Sequence, residues 1–252
     1  MLEPPVRYYE GHGGVRLAFR ELGEGRPLVL IHGFFSDGIV NWIRYGHAAA
    51  LALRGHRVIL PDLRAHGNSD SPADPAAYPR DVLADDGFEL IRHLELDDYD
   101  LGGYSLGGRT VLRMLVRGAT PRRAVVGGMG LEGMINPAAR SAQFRHILTN
   151  LGTFSRGSPE WMAESFLKTM GGDPAALLRI LDTAVPTAVD ALTALRLPIL
   201  VVAGAEDADN GSADALATAL PLGRYASIDG NHMSAVTKPA LGAAIGDFLQ
   251  PG

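Results

Sequence analysis

Short apolar runs alternate with longer segments of helical character along most of this chain. Apolar and polar residues do not alternate within these runs, and most of the runs are rich in β-branched residues. Both features are typical of parallel strands buried on both faces. They lie at residues 27–31, 57–60, 99–103, 124–127, 198–203 and 224–228. Candidate helices lie at 39–54, 79–94, 106–118, 212–219 and 239–249. The alternation predicts an α/β fold, with a mostly parallel open sheet covered by helices on both faces.

Two stretches depart from this alternation of predicted strands and helices. Residues 6–22 contain a GHGG turn signal before the apolar run Arg16–Leu22, which predicts an antiparallel hairpin at one edge of the sheet. Residues 132–195 contain no strand candidate, but Ser158 and Asp173 each precede a proline, as at helix starts. We therefore predict a core domain of residues 1–131 and 196–252 and a helical insertion of about four short helices, the cap segment (132–195).

The composition limits the kinds of partner. The chain of 252 residues is long enough for one large domain, and 46% hydrophobic residues supply a sizeable core. A net charge of -5 without a dense basic run argues against nucleic acid as a partner. There is no cysteine, no apolar stretch of membrane-spanning length and no signal-like start. We expect a cytoplasmic protein without a membrane partner, whose oligomeric state the sequence leaves open.

The segment GGYSLGG at residues 102–108 carries the strongest chemical signal. It contains the pattern G-x-S-x-G, with Ser105 between Gly103 and Gly107, and it joins a strand candidate to a helix candidate. A sharp turn of this kind exposes a serine hydroxyl at the carboxyl end of the sheet, beside a helix N-terminus that favours negative charge. The pattern predicts a nucleophilic Ser105. The overlapping GYSLGGRT resembles a phosphate-binding loop, but Arg109 replaces the required lysine, which argues against nucleotide hydrolysis.

A nucleophilic serine needs a base and an acid that orients the base. His232 follows the last predicted strand, so it is the best-placed of the eight histidines. The loop after residues 198–203 offers three acids: Glu206, Asp207 and Asp209. The chain order serine, acid, histidine is the one expected for a nucleophile on such a turn.

With these motifs the chain resembles the α/β-hydrolase family from about residue 6 to its end. His32-Gly33-Phe34 is similar to the family's oxyanion loop, and residues 62–69 (DLRAHGNS) are similar to its D-x-R-x-x-G-x-S loop. The resemblance implies an oxyanion hole formed by the backbone N–H groups of Phe34 and Leu106. The cap segment lies where family members carry a cap.

The same resemblance chooses among the three acids. Residues 204–207 (GAED) are similar to the family's G-x-x-D pattern, which implies that Asp207 orients His232. Ser105 stands where dehalogenase and epoxide-hydrolase branches carry aspartate, which argues against an alkyl-enzyme. Met233 stands where carbon–carbon bond hydrolases often carry tryptophan, which weakens that branch without excluding it.

Further residues have expected structural or binding roles. We expect His32 to brace its loop and the histidines other than His232 to be structural. No spacing of histidines and carboxylates indicates a metal site, and no cofactor is expected. Candidates for the wall of a substrate pocket are Phe34, Phe35, Trp42, Met129 and Met134.

The expected function is hydrolysis of a carboxylic ester or related acyl bond through an acyl-enzyme, with a small acyl compound as the partner. The apolar cap segment would then cover an uncharged acyl or aromatic group. Three alternatives stay open on the same residues: a slow or inactive ligand receptor, an acyltransferase or perhydrolase, and a carbon–carbon bond hydrolase.

Overall fold

One sheet of eight strands organises residues 3–250, the part of the chain that the computed structural model describes. In spatial order the strands are β1, β2, β4, β3, β5, β6, β7 and β8. Pairing is antiparallel for β1–β2 and β2–β4 and parallel for the others. The strands are β1 Arg7–Glu10, β2 Arg16–Leu22, β3 Arg26–Ile31, β4 His56–Pro61, β5 Asp100–Tyr104, β6 Ala124–Gly127, β7 Ile199–Gly204 and β8 Gly223–Ile228. The predicted fold class is confirmed, including the hairpin at one edge.

Eleven α-helices lie within the described residues. In chain order they are α1 His47–Ala52, α2 Val82–His93, α3 Leu106–Val116, α4 Leu131–Ile135, α5 Ala138–Thr149, α6 Pro159–Met170, α7 Pro174–Asp182, α8 Val189–Thr193, α9 Ala213–Ala219, α10 His232–Ala235 and α11 Pro239–Leu249. None of them is both long and apolar enough to cross a membrane.

The central strands bury both faces, which explains their continuous apolar runs. Successive residues of β3 enter opposite cores: Val29 packs with apolar residues of α2, α3 and α9, whereas Leu28 packs with those of α1 and α11. All of β5 and β7 is buried. Because the parallel strands end at one edge of the sheet, the loops that follow β3, β5 and β7 meet there.

Two of the predicted helices differ from the structure. The stretch 39–54 is not one helix but a π-helical turn, Ile39–Ile43, followed by α1. Between them Gly46 has φ +81°, a left-handed conformation that ends one helical segment before the next begins. The helix predicted at 79–94 begins only at Val82, because Asp81 also has a positive φ of 65°.

The cap segment contains helices and no strand within the described residues, but five helices (α4 to α8) rather than about four. Ser158 accepts a hydrogen bond from the backbone N–H of Trp161 and Asp173 accepts one from that of Ala175, so both helix starts are capped as expected. The division into a core domain and a cap segment stays a prediction, and its terminal residues 1–2 and 251–252 lie outside the described residues.

Candidate active site

Ser105 occupies a strained turn between β5 and α3. Its φ of 55° and ψ of −114° lie in a region that non-glycine residues rarely adopt. A Cβ atom on Gly103 would lie 2.4 Å from the carbonyl carbon of Gly107, and one on Gly107 would lie 2.1 Å from the carbonyl oxygen of Ile31. Glycine is therefore required on both sides of the serine, as the motif predicts.

Ser105, His232 and Asp207 come together in one hydrogen-bonded chain. The Oγ atom of Ser105 lies 3.0 Å from Nε2 of His232, and Nδ1 of His232 lies 2.9 Å from Oδ2 of Asp207. The side chains of His232 and Asp207 are only 7% and 3% exposed, so water hardly competes for this bond. Since a carboxylate accepts, Nδ1 carries the proton, and the lone pair of Nε2 faces the serine hydroxyl.

The two other acids of the loop point elsewhere. Glu206 is exposed, as expected from its place next to Asp207. Asp209 pairs with Arg140 of α5 at 2.6 Å, a contact with the cap segment that the sequence did not indicate. Asp207, Asp209 and His232 offer ligand atoms within 4.8 Å of one another. Because each of the three already has a protein partner, we assign no metal site to them.

Tyr104 is a functional candidate that the sequence motifs do not single out. Its hydroxyl donates a hydrogen bond of 2.7 Å to the backbone carbonyl of His232, and so holds the histidine loop against the serine turn. Burial, and then the negative charge of Asp207, raise the pKa of the Tyr104 hydroxyl well above its usual value. The tyrosine therefore stays a donor. Its position next to Ser105 in the motif was the available signal.

The expected oxyanion-hole residues lie beside Ser105. A Cβ atom on Gly33 would lie 3.3 Å from Cβ of Ser105, which places the loop of Phe34 against the serine. Phe34 and Leu106 line the same cavity as Ser105. Within residues 3–250 neither of their backbone N–H groups donates to a protein acceptor. Both donors are therefore available to a ligand.

His32 holds this loop, as expected. Its Nε2 accepts a hydrogen bond of 2.9 Å from the backbone N–H of Leu63, so its Nδ1–H donates to the carbonyl of Gly33 at 2.8 Å. Burial lowers the pKa of His32. The neighbouring His66 is also buried, and burial followed by the proximity of His32 lowers its pKa to about 3. Both imidazoles are neutral supports of the loops.

A cavity opens beside Ser105, between the core domain and the cap segment. About 660 Å³ of space free of protein atoms lies in it, including the part that opens to solvent. Phe34 and Met129 line it, as predicted. The cap segment contributes Phe144, whose ring lies 4.9 Å from that of Phe34, together with Ile180 and further residues.

Three predicted pocket residues lie elsewhere. Trp42 is 1% exposed and packs in the core on the face of the sheet covered by α1 and α11. Phe35 lies behind Phe34 in a cluster with leucines of the cap segment, and Met134 is fully buried in the core. These assignments to the pocket are corrected, because an apolar residue near a motif is as easily core as wall. Three further wall residues carry no signal of that position in the sequence: Phe144, Arg109 and Arg140.

The chain is similar to known proteins in sequence and in fold. A family model described as alpha/beta hydrolase fold matches residues 26–137. The 2-hydroxymuconate semialdehyde hydrolase of Pseudomonas sp. (strain CF600) is 35% identical over 124 residues, covering 49% of this chain and 43% of that protein. The non-heme chloroperoxidase CPO-A1 of Kitasatospora aureofaciens is 36% identical over 109 residues, covering 43% and 38%. The alignments thus span less than half the length of either relative.

A similar fold extends over almost the whole chain. A hydrolase from Pseudomonas aeruginosa PA01 superposes with a TM-score of 0.81 at 23% identity, covering 98% of both chains. A bromoperoxidase from Bacillus anthracis superposes with a TM-score of 0.75 at 25% identity, covering 98% of this chain and 100% of the other. The chain therefore has the alpha/beta hydrolase fold.

Proposed function

We propose that this protein is a serine hydrolase that cleaves a carboxylic ester or a related acyl bond through an acyl-enzyme. The observation that carries the proposal is the unbroken chain of hydrogen bonds from Ser105 through His232 to Asp207, with the serine held in a strained turn beside a cavity. In this proposal Ser105 is the nucleophile, His232 the base and Asp207 the orienting acid.

Acylation follows from the hydrogen bonds. Nε2 of His232 takes the proton of the Ser105 hydroxyl while Oγ attacks the acyl carbonyl carbon, and the carbonyl oxygen becomes an oxyanion. The backbone N–H groups of Phe34 and Leu106 stabilise that oxyanion, helped by the N-terminus of α3. The imidazolium then protonates the leaving alcohol. Until it does so, Asp207 stabilises the positive charge of the imidazolium.

Deacylation repeats these steps with water. His232 takes a proton from a water molecule, whose oxygen attacks the acyl carbon, and the imidazolium returns the proton to Oγ of Ser105. A carboxylic acid leaves and the serine is restored. The apolar part of the cavity wall, including Phe34, Met129 and Phe144, would hold the acyl group and limit the access of bulk water.

A second candidate reaction is hydrolysis of a carbon–carbon bond next to a carbonyl. Its support is the 35% identity to a 2-hydroxymuconate semialdehyde hydrolase over about half of this chain. Met233, the residue after the proposed base, is 56% exposed and does not decide between the two reactions.

A substrate panel separates the candidates. Purified protein is assayed with 4-nitrophenyl esters of increasing acyl length, thioesters, lactones and β-diketones, with Ser105→Ala as the blank. The control variant is Ser155→Ala, which removes an exposed serine of the cap segment. We expect the wild-type protein to cleave esters, Ser105→Ala to lose this activity and Ser155→Ala to keep it. Cleavage of β-diketones alone would favour the second reaction, and equal rates with Ser105→Ala would contradict both.

A further inference from the structure

Arg109 is a buried cation in the wall of the cavity that contains Ser105. The residue is 8% exposed. Its Nη2 donates a hydrogen bond of 2.6 Å to the backbone carbonyl of Gly133, but its buried Nη1 donates to no protein acceptor within residues 3–250. A buried guanidinium nitrogen without an acceptor costs free energy, and an acceptor brought by a ligand would remove that cost.

The other arginines of the wall differ from Arg109. Arg113 forms a close ion pair with Asp81, and Arg140 pairs with Asp209. Arg109 has no carboxylate partner in the part of the chain that the structure describes. The wall thus carries three arginines against one carboxylate, Asp81, and that carboxylate is already bound by arginine.

The charge of Arg109 persists at neutral pH. Burial lowers the pKa of its guanidinium to about 10, and no neighbouring carboxylate raises it again. At pH 7 to 8 the side chain is therefore a cation whose charge the described protein does not balance. Such an uncompensated charge in a cleft is typical of a site that binds an opposite charge.

The position of Arg109 relative to Ser105 suits recognition of a substrate. Arg109 lies four residues after the serine, and its backbone N–H bonds to the carbonyl of Ser105 at 3.0 Å. Ser105 and Arg109 both belong to the residues that line the cavity. An acyl group attached to Ser105 thus extends into a cavity that Arg109 also lines.

We propose that Arg109 binds a carboxylate at the far end of the acyl group that Ser105 receives. This proposal rests on the proposed function and deepens it: the preferred substrates are half-esters of dicarboxylic acids or other acyl compounds with a carboxylate. A guanidinium with one free nitrogen suits a singly charged carboxylate better than a phosphate, whose three terminal oxygens require more donors. This substrate class differs from the uncharged group expected from the sequence.

A matched pair of esters tests the proposal. 4-Nitrophenyl hydrogen glutarate carries a free carboxylate, and 4-nitrophenyl methyl glutarate carries its methyl ester at the same place. The succinate and adipate pairs vary the reach, and the rate without protein is subtracted. We expect kcat/KM to be about 10- to 100-fold higher for the carboxylate of the best pair, the range of one charge-assisted hydrogen bond. Equal values, or a preference for the methyl esters in all three pairs, would overturn the proposal.

Variants of Arg109 show whether this residue binds the substrate or only supports the structure through its hydrogen bond to Gly133. Arg109→Gln should bring the ratio of the two kcat/KM values close to one, chiefly through KM for the carboxylate. Arg109→Lys, which keeps the charge, should retain part of the ratio. Arg140→Gln removes a cation of the same wall that Asp209 already balances, and should change the ratio much less. If Arg109→Gln slows both esters equally, the arginine is structural and the proposal is wrong.

A binding measurement tests the anion site without requiring ester cleavage. Failure of the anion site can then be told apart from failure of the proposed function. Pentanoate and pentanamide are titrated calorimetrically into the wild-type protein and into Arg109→Gln. We expect pentanoate to bind the wild type more tightly than pentanamide, and the difference to vanish in Arg109→Gln. If no ester is cleaved but the wild type still binds pentanoate more tightly than pentanamide, the proposed function is wrong and the anion site is supported. Absence of any selection by the wild type would refute the anion site.

Discussion

The core domain and the cap segment provide two walls of one cavity, but they hold their side chains in different ways. On the core side, Ser105, His232 and Asp207 are fixed by a strained turn, capped loops and mutual hydrogen bonds. On the cap side, Ile180 packs in an apolar cluster, and Phe144 packs against Phe34 and beneath the guanidinium of Arg140. The proposed catalytic groups thus all lie in the core domain, whereas the wall that would contact the substrate comes from both sides, with Arg109 from the core domain and Phe144 from the cap segment.

Polar contacts join the two walls. Arg109 of α3 donates to the carbonyl of Gly133, and Asp209 after β7 pairs with Arg140 of α5. Glu132 at the start of the cap segment accepts a hydrogen bond of 2.8 Å from the backbone N–H of Ser212. We expect changes at the proposed catalytic residues and at buried residues to affect catalysis or folding strongly, and changes at wall residues on either side to affect mainly selectivity.

The largest effect is expected at the acid of the core. Asp207→Asn should lower kcat by about 10⁴, because an amide in this place favours the wrong tautomer of His232. Circular dichroism should show an unchanged fold. Glu206→Gln is the matched control, since its exposed carboxylate is adjacent in sequence, and it should stay within a few-fold of the wild type. A mild Asp207→Asn combined with a damaging Asp209→Asn would show that the acid has been misassigned.

Alanine substitution of one glycine in each region compares how well the two regions tolerate an added methyl group. Gly107→Ala should lower the free energy of unfolding by about 3 kcal/mol, because the new Cβ meets the rigid backbone of Ile31 at 2.1 Å. Gly172→Ala in the cap segment should cost less than about 1 kcal/mol, since its Cβ meets only the mobile ends of Leu167 and Leu177. Urea denaturation measures both. Equal costs would contradict a rigid core turn beside an adaptable cap segment.

The buried histidine of the core predicts a dependence of stability on pH. His66 stays neutral in the folded protein down to about pH 3, whereas in the unfolded chain it binds a proton below about pH 6.5. The folded state therefore loses up to about 1.4 kcal/mol per pH unit as the pH falls from 6.5 towards 3. His66→Gln should lose less stability over that range, as thermal melts at several pH values would show.

The control for this pH effect lies in the cap segment. His146→Gln, which removes an exposed imidazole from the cap segment, is the matched control variant. If His66→Gln and the wild type have the same slope, His66 does not stay neutral in the folded protein.

The smallest effect is expected at two methionines that differ in position. Met129 lines the cavity, so Met129→Ala should shift the preferred acyl length of the substrate, with changes in kcat/KM of about tenfold, the equivalent of 1.4 kcal/mol. Met134 is fully buried away from the cavity, so Met134→Ala should lower stability and keep the preference. The acyl-length profile of each variant measures the difference, and a shifted profile for Met134→Ala alone would reverse the assignment.

The sequence predicts the core domain better than the cap segment for a physical reason. Runs such as residues 198–203 are buried on both faces, so their composition alone marks them as central strands. The turn at Ser105 is constrained by backbone contacts that only glycine permits, and such constraints are visible in one sequence. For this reason the sequence predicts that Ser105 and His232 lie near one another, whereas the resemblance to a known family is needed to select Asp207 from three acids.

The wall of the cavity could not be predicted in the same way. Whether Phe34 or Phe35 lines it depends on the positive φ of Phe35, and Trp42 is separated from it by the sheet. The contributions of Phe144 and Arg109 depend on how α5 and α3 pack, which no local pattern records. Sequence signals of this kind describe one element at a time, whereas a cavity is a property of several.

Covalent labelling with a fluorophosphonate, followed by intact-mass analysis and peptide mapping, tests directly whether Ser105 is the nucleophile. If Ser105 is the nucleophile that His232 activates, the wild-type protein takes up one phosphonate, on the peptide that contains Ser105, and ester hydrolysis falls in proportion. Ser105→Ala should take up none, while Ser155→Ala should label like the wild type. Labelling of Ser105→Ala to the same extent, or of a different peptide in the wild type, would contradict the account.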